Sequence, residues 1–282
     1  MAEDTVSLIY ARAAEIAERS RNSFESGRFL SPAEQAVFFR AVAGLGSDHL
    51  MRCFFFGGCR GAERRAAVFF PEWADISDAP VVSPGTDLFS PEREDYFARV
   101  INDYGGDAIT GIVALRVRGS GYRTLGHRDY MGSILAEGVD RSVVGDVVPD
   151  GDHSALIFVS REIAPFLTDN LDRVGSDKVT VTEENVAEDF VIEKKFETGT
   201  AVAASLRLDA LIGAVANLGR SEAREAVESG RCAVNYLTEL KADRQIKEGD
   251  VISLRGFGKI VTGSVTGTTR SGKLRVEYKK YI

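Results

Sequence analysis

The sequence is poor in the residues that form disulfides, metal sites and catalytic clusters, with three cysteines, three histidines and one tryptophan among 282 residues. Cys53, Cys59 and Cys232 are odd in number and lack the spacing of zinc ligands. We therefore predict buried, reduced thiols, no metal and no other cofactor. The three histidines are scattered along the chain, and no Ser/His/Asp or Cys/His arrangement is evident.

Long apolar runs are also missing, which argues against a signal peptide or a membrane span. The N-terminus instead carries charged side chains: Glu3, Asp4, Arg12, Glu15, Glu18 and Arg19. With 44% hydrophobic and 27% charged residues, the chain can bury a sizeable core. We expect a cytoplasmic protein of two or three domains that makes no membrane contact.

Positive charge is scarce overall but concentrated near the C-terminus. The chain carries 35 basic and 42 acidic residues, a formal net charge of −7. Residues 199–282 hold 14 basic and 9 acidic residues, so their net charge is +5, and that of the first 198 residues is −12. Because acidic segments repel nucleic acid, any contact with nucleic acid is expected at one site within residues 199–282 rather than over the whole surface.

The last third of the chain predicts two short helices followed by a strand. Apolar residues recur at i, i+3, i+4 and i+7 and form a stripe that packs inward: Leu208, Leu211, Ile212 and Val215. Gly219 is placed as the N-cap of the second helix, Glu222 as half of a capping box and Gly230 as a C′ glycine. A strand is predicted at Cys232–Tyr236.

Arginines surround these predicted helices. Arg220 and Arg224 share one face near a helix N-terminus, where unpaired N–H groups and the helix dipole favour an anion. Arg207 precedes the first helix and Arg231 enters the strand, so four guanidinium groups could grip phosphate. The alternative is that these arginines are solvated or paired with neighbours such as Glu225 and Glu228.

This segment resembles the S-four RNA-binding domain from about Ser205 to Ile252. The resemblance rests on Arg207-Leu-Asp209, Gly219-Arg-Ser-Glu-Ala-Arg224, Gly230, Val234-Asn235 and Gly249-Asp-Val-Ile252. It implies RNA contacts from Arg207, Arg220, Ser221, Arg224, Arg231 and Asn235. The chain departs from the usual pattern in having Gly219 for serine, Tyr236 for glycine and Leu237 for a frequent lysine.

The middle of the chain predicts a βαββαβ order, typical of the ferredoxin-like sandwich of RNA-recognition-motif domains. The predicted elements are strands at Ile109–Arg118, Val143–Val148, Ala155–Ser160 and Lys178–Thr182, and helices at Gly126–Gly138 and Glu162–Val174. Phe158 is the only aromatic residue on the central strands, and we expect it in the core rather than stacked on a base.

The N-terminal region predicts a mostly helical start and then a hairpin of two apolar strands, Arg52–Gly58 and Arg64–Pro71. Arg60, Arg64 and Arg65 could contact phosphates or simply occupy a solvated hairpin tip, and Arg128 is a further candidate contact. The predicted fold class is α+β and multidomain. Its parts are a mixed helical and hairpin domain at 1–78, the RRM-like domain at 79–183, a linker at 184–199 and the S-four-type domain at 200–282.

Two motifs resemble those of enzymes but lack the neighbouring residues that the enzymes require. His127-Arg128-Asp129 spells the triplet of a kinase catalytic loop, but Ile134 stands where the magnesium-binding asparagine belongs. Gly57-Gly58 is not followed by the Gly-Lys-Ser/Thr of a phosphate-binding loop. We therefore expect a protein that is not an enzyme.

Taken together, the regions resemble the YlmH family. The resemblance rests on Phe55-Phe-Gly-Gly58, Glu63-Arg-Arg65, Val68-Phe-Phe-Pro71 with Trp73, Gly126–Arg141 and Gly145-Asp146. It implies a protein that binds rRNA and peptidyl-tRNA on stalled large ribosomal subunits while a peptide-tailing quality-control factor extends the nascent chain. It also implies, by gene context, a link to bacterial cell division. We expect the protein to be a monomer.

Two other functions stay open. Pseudouridine synthases and some methyltransferases also carry an S-four domain, although Arg207-Leu-Asp209 occurs once and no Rossmann-type glycine turn is present. A scaffold in cell division is the other alternative. The sequence does not indicate which RNA helix is bound, or whether the N-terminal domain contacts RNA or protein.

Overall fold

The computed structural model describes residues 3–81 and 91–282. The chain divides into two compact units, Met1–Ile192 and Glu193–Ile282, and each combines helices with antiparallel sheets. The α+β, multidomain class is therefore confirmed. The predicted regions 1–78 and 79–183 lie within the first unit, although residues 82–90 fall outside the described part. Within the described ranges, no helix is both long enough and apolar enough to span a bilayer.

The first unit begins with a helical region and a three-stranded sheet. Its elements are α1 Glu3–Arg19, β1 Glu25–Leu30, α2 Pro32–Leu45, α3 Ser47–Arg52, β2 Cys53–Phe56, β3 Arg65–Phe69, α4 Pro91–Tyr104 and α5 Asp107–Thr110. The predicted hairpin is present, since β2 pairs with β3. Strand β1 was not predicted; it pairs with the other edge of β3 and contains a glycine and two charged residues in six positions.

The middle of the first unit has the predicted element order. It consists of β4 Ile112–Gly119, α6 His127–Ala136, β5 Val144–Pro149, β6 Ser154–Ser160, α7 Ala164–Asn170, β7 Arg173–Val174 and β8 Asp177–Glu184. The strand order β5-β6-β4-β8-β7 places the first and third long strands at the centre, as in a ferredoxin-like sheet.

One predicted helix in this region was too long. The helix expected at Glu162–Val174 begins with a 3-10 turn at Arg161–Ile163 and ends at Asn170. Arg173–Val174 then forms a short strand, because Gly175 adopts a positive φ of 58° and lets the chain turn back onto β8.

The two faces of the middle sheet are covered differently. On one face, Leu115 and Ile157 share a core with Ile134 of α6 and Leu167 of α7. On the other face, Ile112, Ala114, Leu156 and Phe158 share a core with side chains of the elements that precede β4, here called the N-terminal region, including Phe29, Phe54 and Phe97. The N-terminal region therefore occupies the sheet face that RNA-recognition-motif domains use for RNA.

Glycines allow this close packing. A Cβ atom at position 58 would lie 2.3 Å from the ring of Phe158, and one at position 145 would lie 2.6 Å from the ring of Phe29. Phe158 is 1% exposed, which confirms its predicted place in the core.

The second unit is a six-stranded sheet with two helices. Its elements are β9 Phe196–Ala203, α8 Leu208–Ala216, α9 Arg220–Glu228, β10 Cys232–Val234, β11 Leu237–Thr238, β12 Val251–Leu254, β13 Gly258–Thr268 and β14 Leu274–Tyr281. The strand order is β11-β10-β12-β13-β14-β9, so β9, whose first residues lie in the predicted linker, forms an edge. Leu208, Leu211 and Ile212 are buried against the sheet, as the apolar stripe predicts.

Candidate RNA-binding surface

The start of α8 fixes the first predicted RNA contact. Arg207 is the N-cap residue of α8, and its guanidinium donates two hydrogen bonds to Asp209, from Nε at 3.1 Å and from Nη2 at 2.8 Å. Asp209 is buried, and it also accepts the N–H of Ala210 at 2.9 Å. The pair holds the Arg207 side chain in one orientation while leaving it 40% exposed.

The start of α9 presents the next three candidates. Gly219 is its N-cap, as predicted, and provides no side chain to cap the first turn. Arg220, Ser221 and Arg224 follow on the exposed side of the helix. The backbone N–H groups of this first turn and the helix dipole therefore face a region lined by arginine.

Arg207 binds Asp209 directly, and Arg220 and Arg224 lie close enough to interact with the Asp209 carboxylate through their charge. The hydrogen bonds from Arg207 lower the pKa of the Asp209 carboxyl, and the positive charge of Arg220 lowers it further. The pKa of Arg224 is raised mainly by its hydrogen bond to Glu228, and the charge of Asp209 contributes to the same shift. We call Arg207, Arg220 and Arg224 the arginine cluster.

The alternative of paired, solvated arginines applies in part to Arg224. Its Nε lies 2.6 Å from Glu228 Oε1, and both side chains are at least half exposed. An exposed i,i+4 pair of this kind contributes only about 0.3–0.5 kcal/mol. A phosphate could therefore replace Glu228 as the partner of Arg224 at little cost.

Arg231 and Asn235 lie beyond the cluster. Arg231 is exposed, and its Nε donates to Ser229 Oγ at 3.2 Å. The side chain of Asn235 is held by the protein, because its amide donates to Asp250 at 2.9 Å and accepts the N–H of Val251 at 2.9 Å. Asn235 thus fixes the turn that follows β10.

The same turn explains why glycine is usual at the next position. Asn235 and Tyr236 both have positive φ values, 50° and 66°, as in the tight turns that favour Asn-Gly. Tyr236 adopts a conformation that costs an L-residue about 1–2 kcal/mol. Leu237, where a lysine is frequent, begins β11 and pairs with Val234.

The arginines of the N-terminal hairpin occupy a different environment. Arg65 is 3% exposed, and its guanidinium donates to the carbonyl of Ala62 and lies 3.2 Å from Glu94. Arg64 is partly buried and donates to the carbonyls of Val144, Phe29 and Arg141. Neither of the two expectations for the hairpin tip describes Arg65, because its side chain lies inside the fold.

Arg60 and Arg128 remain accessible. Arg60 is 37% exposed and lies 3.4 Å from Asp95. Arg128 is exposed in the first turn of α6. Both stay predictions as secondary RNA contacts.

The structure also shows exposed groups that the sequence analysis did not single out. Arg118 lies at the end of β4 with 59% of its side chain exposed, opposite Thr180 of β8. Tyr122, in the loop before α6, is 81% exposed. The alternation of side chains along β4 predicts that Arg118 lies on the sheet face opposite to that of Val117. No sequence signal predicts that the N-terminal region covers part of the Arg118 face.

The cysteines behave as predicted. All three are unpaired and buried. Burial raises the pKa of Cys53 to about 12 and that of Cys232 to about 11. Among the described residues, no group of three His, Cys, Asp or Glu side chains is arranged to hold a metal ion.

Comparison with known proteins adds three findings. A family model described as "Putative RNA-binding domain in YlmH" matches residues 114–188. The chain is 26% identical over 252 residues to the "Ribosome-associated protein quality control protein P2" of Bacillus subtilis (strain 168), covering 89% of this chain and 85% of the relative. The solved structure of the "Cell division protein ylmH from Streptococcus pneumoniae" aligns with a TM-score of 0.44 at 14% identity, over 66% of this chain and 93% of that one.

The family model and the B. subtilis relative match stretches of different length. The model covers most of the ferredoxin-like region, from β4 to just beyond β8. The relative extends the similarity over both units. The resemblance of this chain to the YlmH family is thereby confirmed.

Proposed function

We propose that the protein binds RNA on the large ribosomal subunit and that the arginine cluster is its main contact. The observation that carries this proposal is the bidentate hold of buried Asp209 on Arg207, next to the exposed Arg220 and Arg224 of a helix start that has no side-chain cap. Guanidinium groups grip phosphate in a bidentate manner, and a helix N-terminus adds N–H donors and a favourable dipole.

The cluster is suited to backbone recognition more than to base reading. Asp209 orients Arg207 before RNA arrives, so less side-chain entropy is lost on binding. Asp209 cancels one of the three positive charges, and Glu228 pairs with another only through an exposed contact. The remaining positive charge faces solvent. Because the first 198 residues are net acidic, binding of RNA at this one site is favoured over binding elsewhere on the protein.

The proposed biological setting comes from the relative. It is named a ribosome-associated protein quality control protein. We infer that this chain holds rRNA and peptidyl-tRNA on stalled large subunits, as a monomer and without catalysing a reaction, while a separate factor extends the nascent peptide. Residues 114–188, matched by the RNA-binding family model, would supply secondary contacts through Arg128 and the exposed Arg118.

Crosslinking of the full-length protein in cells, followed by sequencing of the bound RNA, tests this function. We expect one dominant large-subunit rRNA site together with tRNA reads. Charge-matched variants separate specific from general effects: Arg220→Ala/Arg224→Ala should lose the site, whereas Arg270→Ala/Lys273→Ala, in the turn between β13 and β14, should retain it.

Other outcomes would contradict the proposal. Messenger fragments without rRNA would exclude a ribosomal role. Recovery of division proteins after nuclease treatment, with no ribosomal subunits, would favour a scaffold. A single RNA modification missing in a deletion strain would indicate an enzyme.

A further inference from the structure

The sheet of the second unit has a face that its helices do not cover. Strand register places Cys232, Ile252 and Ile260 toward α8 and α9, where they are buried. Residues at alternate positions point to the opposite face. Lys259 and Tyr281 lie on this outer face at neighbouring positions of β13 and β14.

Aromatic rings and lysines alternate across this outer face. The ring centroids of Phe196 and Tyr281 are 4.7 Å apart in an edge-on arrangement. Lys259 Nζ lies 4.7 Å from the ring centroid of Tyr281 and 5.4 Å from that of Tyr236, and Lys279 Nζ lies 6.0 Å from the ring of Phe196. We call Phe196, Tyr236, Lys259, Lys279 and Tyr281 the aromatic–lysine face.

This face is accessible and carries positive charge. Phe196 is 37% exposed, Tyr236 and Tyr281 are half-buried, and Lys279 is exposed. Arg275 lies on the same side of β14, and Glu277, between Arg275 and Lys279, is the acidic residue of that strand. The two lysines and Arg275 therefore outweigh the one carboxylate.

The Tyr236 ring is held in place by a strained backbone conformation. Its φ of 66° is unfavourable for a side chain, and the S-four pattern usually has glycine at this position. Backbone strain of this kind is often retained at functional positions. Here the strained residue places its ring next to Lys259 and so extends the face toward β10.

We propose that the aromatic–lysine face is a second RNA-contacting surface, which receives an unpaired segment of the RNA held by the arginine cluster. Single strands bind where aromatic rings accept bases and cations meet the backbone, whereas a duplex cannot offer its stacked bases. The inference rests on the proposed RNA-binding function and extends it from phosphate contacts to unpaired bases.

Binding of two RNA probes to the full-length protein tests this inference. One probe is a short RNA hairpin, and the other is the same hairpin with a 3′ oligouridine tail of about ten nucleotides, a length within the range that one small domain covers. The tail should tighten binding to the unchanged protein. Phe196→Leu and Tyr281→Leu should each reduce this gain by roughly fivefold or more, the lower end of base–aromatic stacking.

Matched variants serve as controls for this test. Phe166→Leu removes an aromatic residue that is 39% exposed in the first unit, and Arg270→Gln removes a charge from the turn between β13 and β14. Both should leave the gain unchanged. Lys259→Gln and Lys279→Gln should reduce the gain and its salt dependence even if a ring variant does not fold.

The outcomes separate the two proposals. If the unchanged protein binds neither probe nor the large subunit, the proposed function fails. If it binds the hairpin but gains nothing from the tail, or if folded face variants keep the full gain, the inference fails alone. Loss of binding to both probes in the face variants would also contradict a surface specific for unpaired RNA.

Discussion

The arginines of the N-terminal hairpin and those of the C-terminal unit lie in opposite environments. Arg65 is buried against Glu94, and Arg64 donates to three backbone carbonyls. Arg220 and Arg224 are exposed at the start of a helix. Both pairs follow glycines closely in the sequence, so the local pattern alone does not distinguish them.

The comparison shows what decides whether an arginine is available to RNA. Burial lowers the pKa of Arg64, and the carbonyls around it replace the water it has lost. Its donors are thereby used within the fold. In the C-terminal unit, Asp209 engages only one arginine of the cluster bidentately and leaves the others facing solvent.

The largest expected effect is loss of stability in the hairpin. Arg65→Ala would leave Glu94 without its buried partner, and breaking such a pair costs about 3–5 kcal/mol. Urea unfolding monitored by circular dichroism would measure the loss. RNA affinity of the folded fraction should stay unchanged; a weaker affinity at unchanged stability would mean that Arg65 contacts RNA.

Replacing the carboxylate of the arginine cluster should have a smaller effect. Asp209→Asn should destabilise the protein by about 1–3 kcal/mol at neutral pH, since it weakens charge-assisted hydrogen bonds from Arg207. The measurement is again urea unfolding, with Glu248→Gln as a control on an exposed carboxylate of the same unit.

The effect of Asp209 should depend on pH. Because its pKa is lowered in the folded state, its stabilisation is complete above the unfolded value of about 3.9 and is lost as the pH falls through the folded value. The difference between the unchanged protein and Asp209→Asn should therefore shrink below about pH 4. A constant difference across this range would contradict the assigned role.

Relief of backbone strain should give a smaller change of opposite sign. Tyr236→Gly should stabilise the protein by about 0.5–1 kcal/mol, because relief of the left-handed conformation outweighs the greater entropy of unfolded glycine. Thermal unfolding would detect this as a higher Tm. The same variant should lose part of the single-strand gain, so stability and RNA binding should change in opposite directions.

The smallest effect is expected at Arg60. Arg60→Ala breaks a pair with Asp95 that is largely exposed, and such pairs contribute about 0–1 kcal/mol. Stability should change little next to Arg65→Ala. A loss comparable to that of Arg65→Ala would show that the two environments are less different than the contacts indicate.

Local signals predicted much of the C-terminal unit and of the middle sheet. The stripe of Leu208, Leu211 and Ile212 predicted α8. The glycines at 219 and 230 predicted the two ends of α9, where Gly219 is the N-cap and Gly230 has a φ of 73°. The alternation of β-branched residues predicted the four long strands of the ferredoxin-like region. These features depend on neighbours in the sequence.

Features that depend on distant partners were missed. Strand β1 pairs with β3, and Arg65 is buried against Glu94 of α4. Part of the cover over Ile112 and Phe158 likewise comes from residues more than fifty positions away, such as Phe54. The interaction of Arg220 with Asp209 was not predicted, because helix periodicity does not show how α8 and α9 pack.

The most direct test of the central claim is the salt dependence of large-subunit binding. Log affinity against log salt concentration should be compared for the unchanged protein, Arg220→Ala/Arg224→Ala and the charge-matched Arg270→Ala/Lys273→Ala. The cluster variant should bind more weakly, with a slope flatter by roughly 0.7–0.9 per lost phosphate contact, and the control should match the unchanged protein. Unchanged affinity and slope in the folded cluster variant would contradict the account.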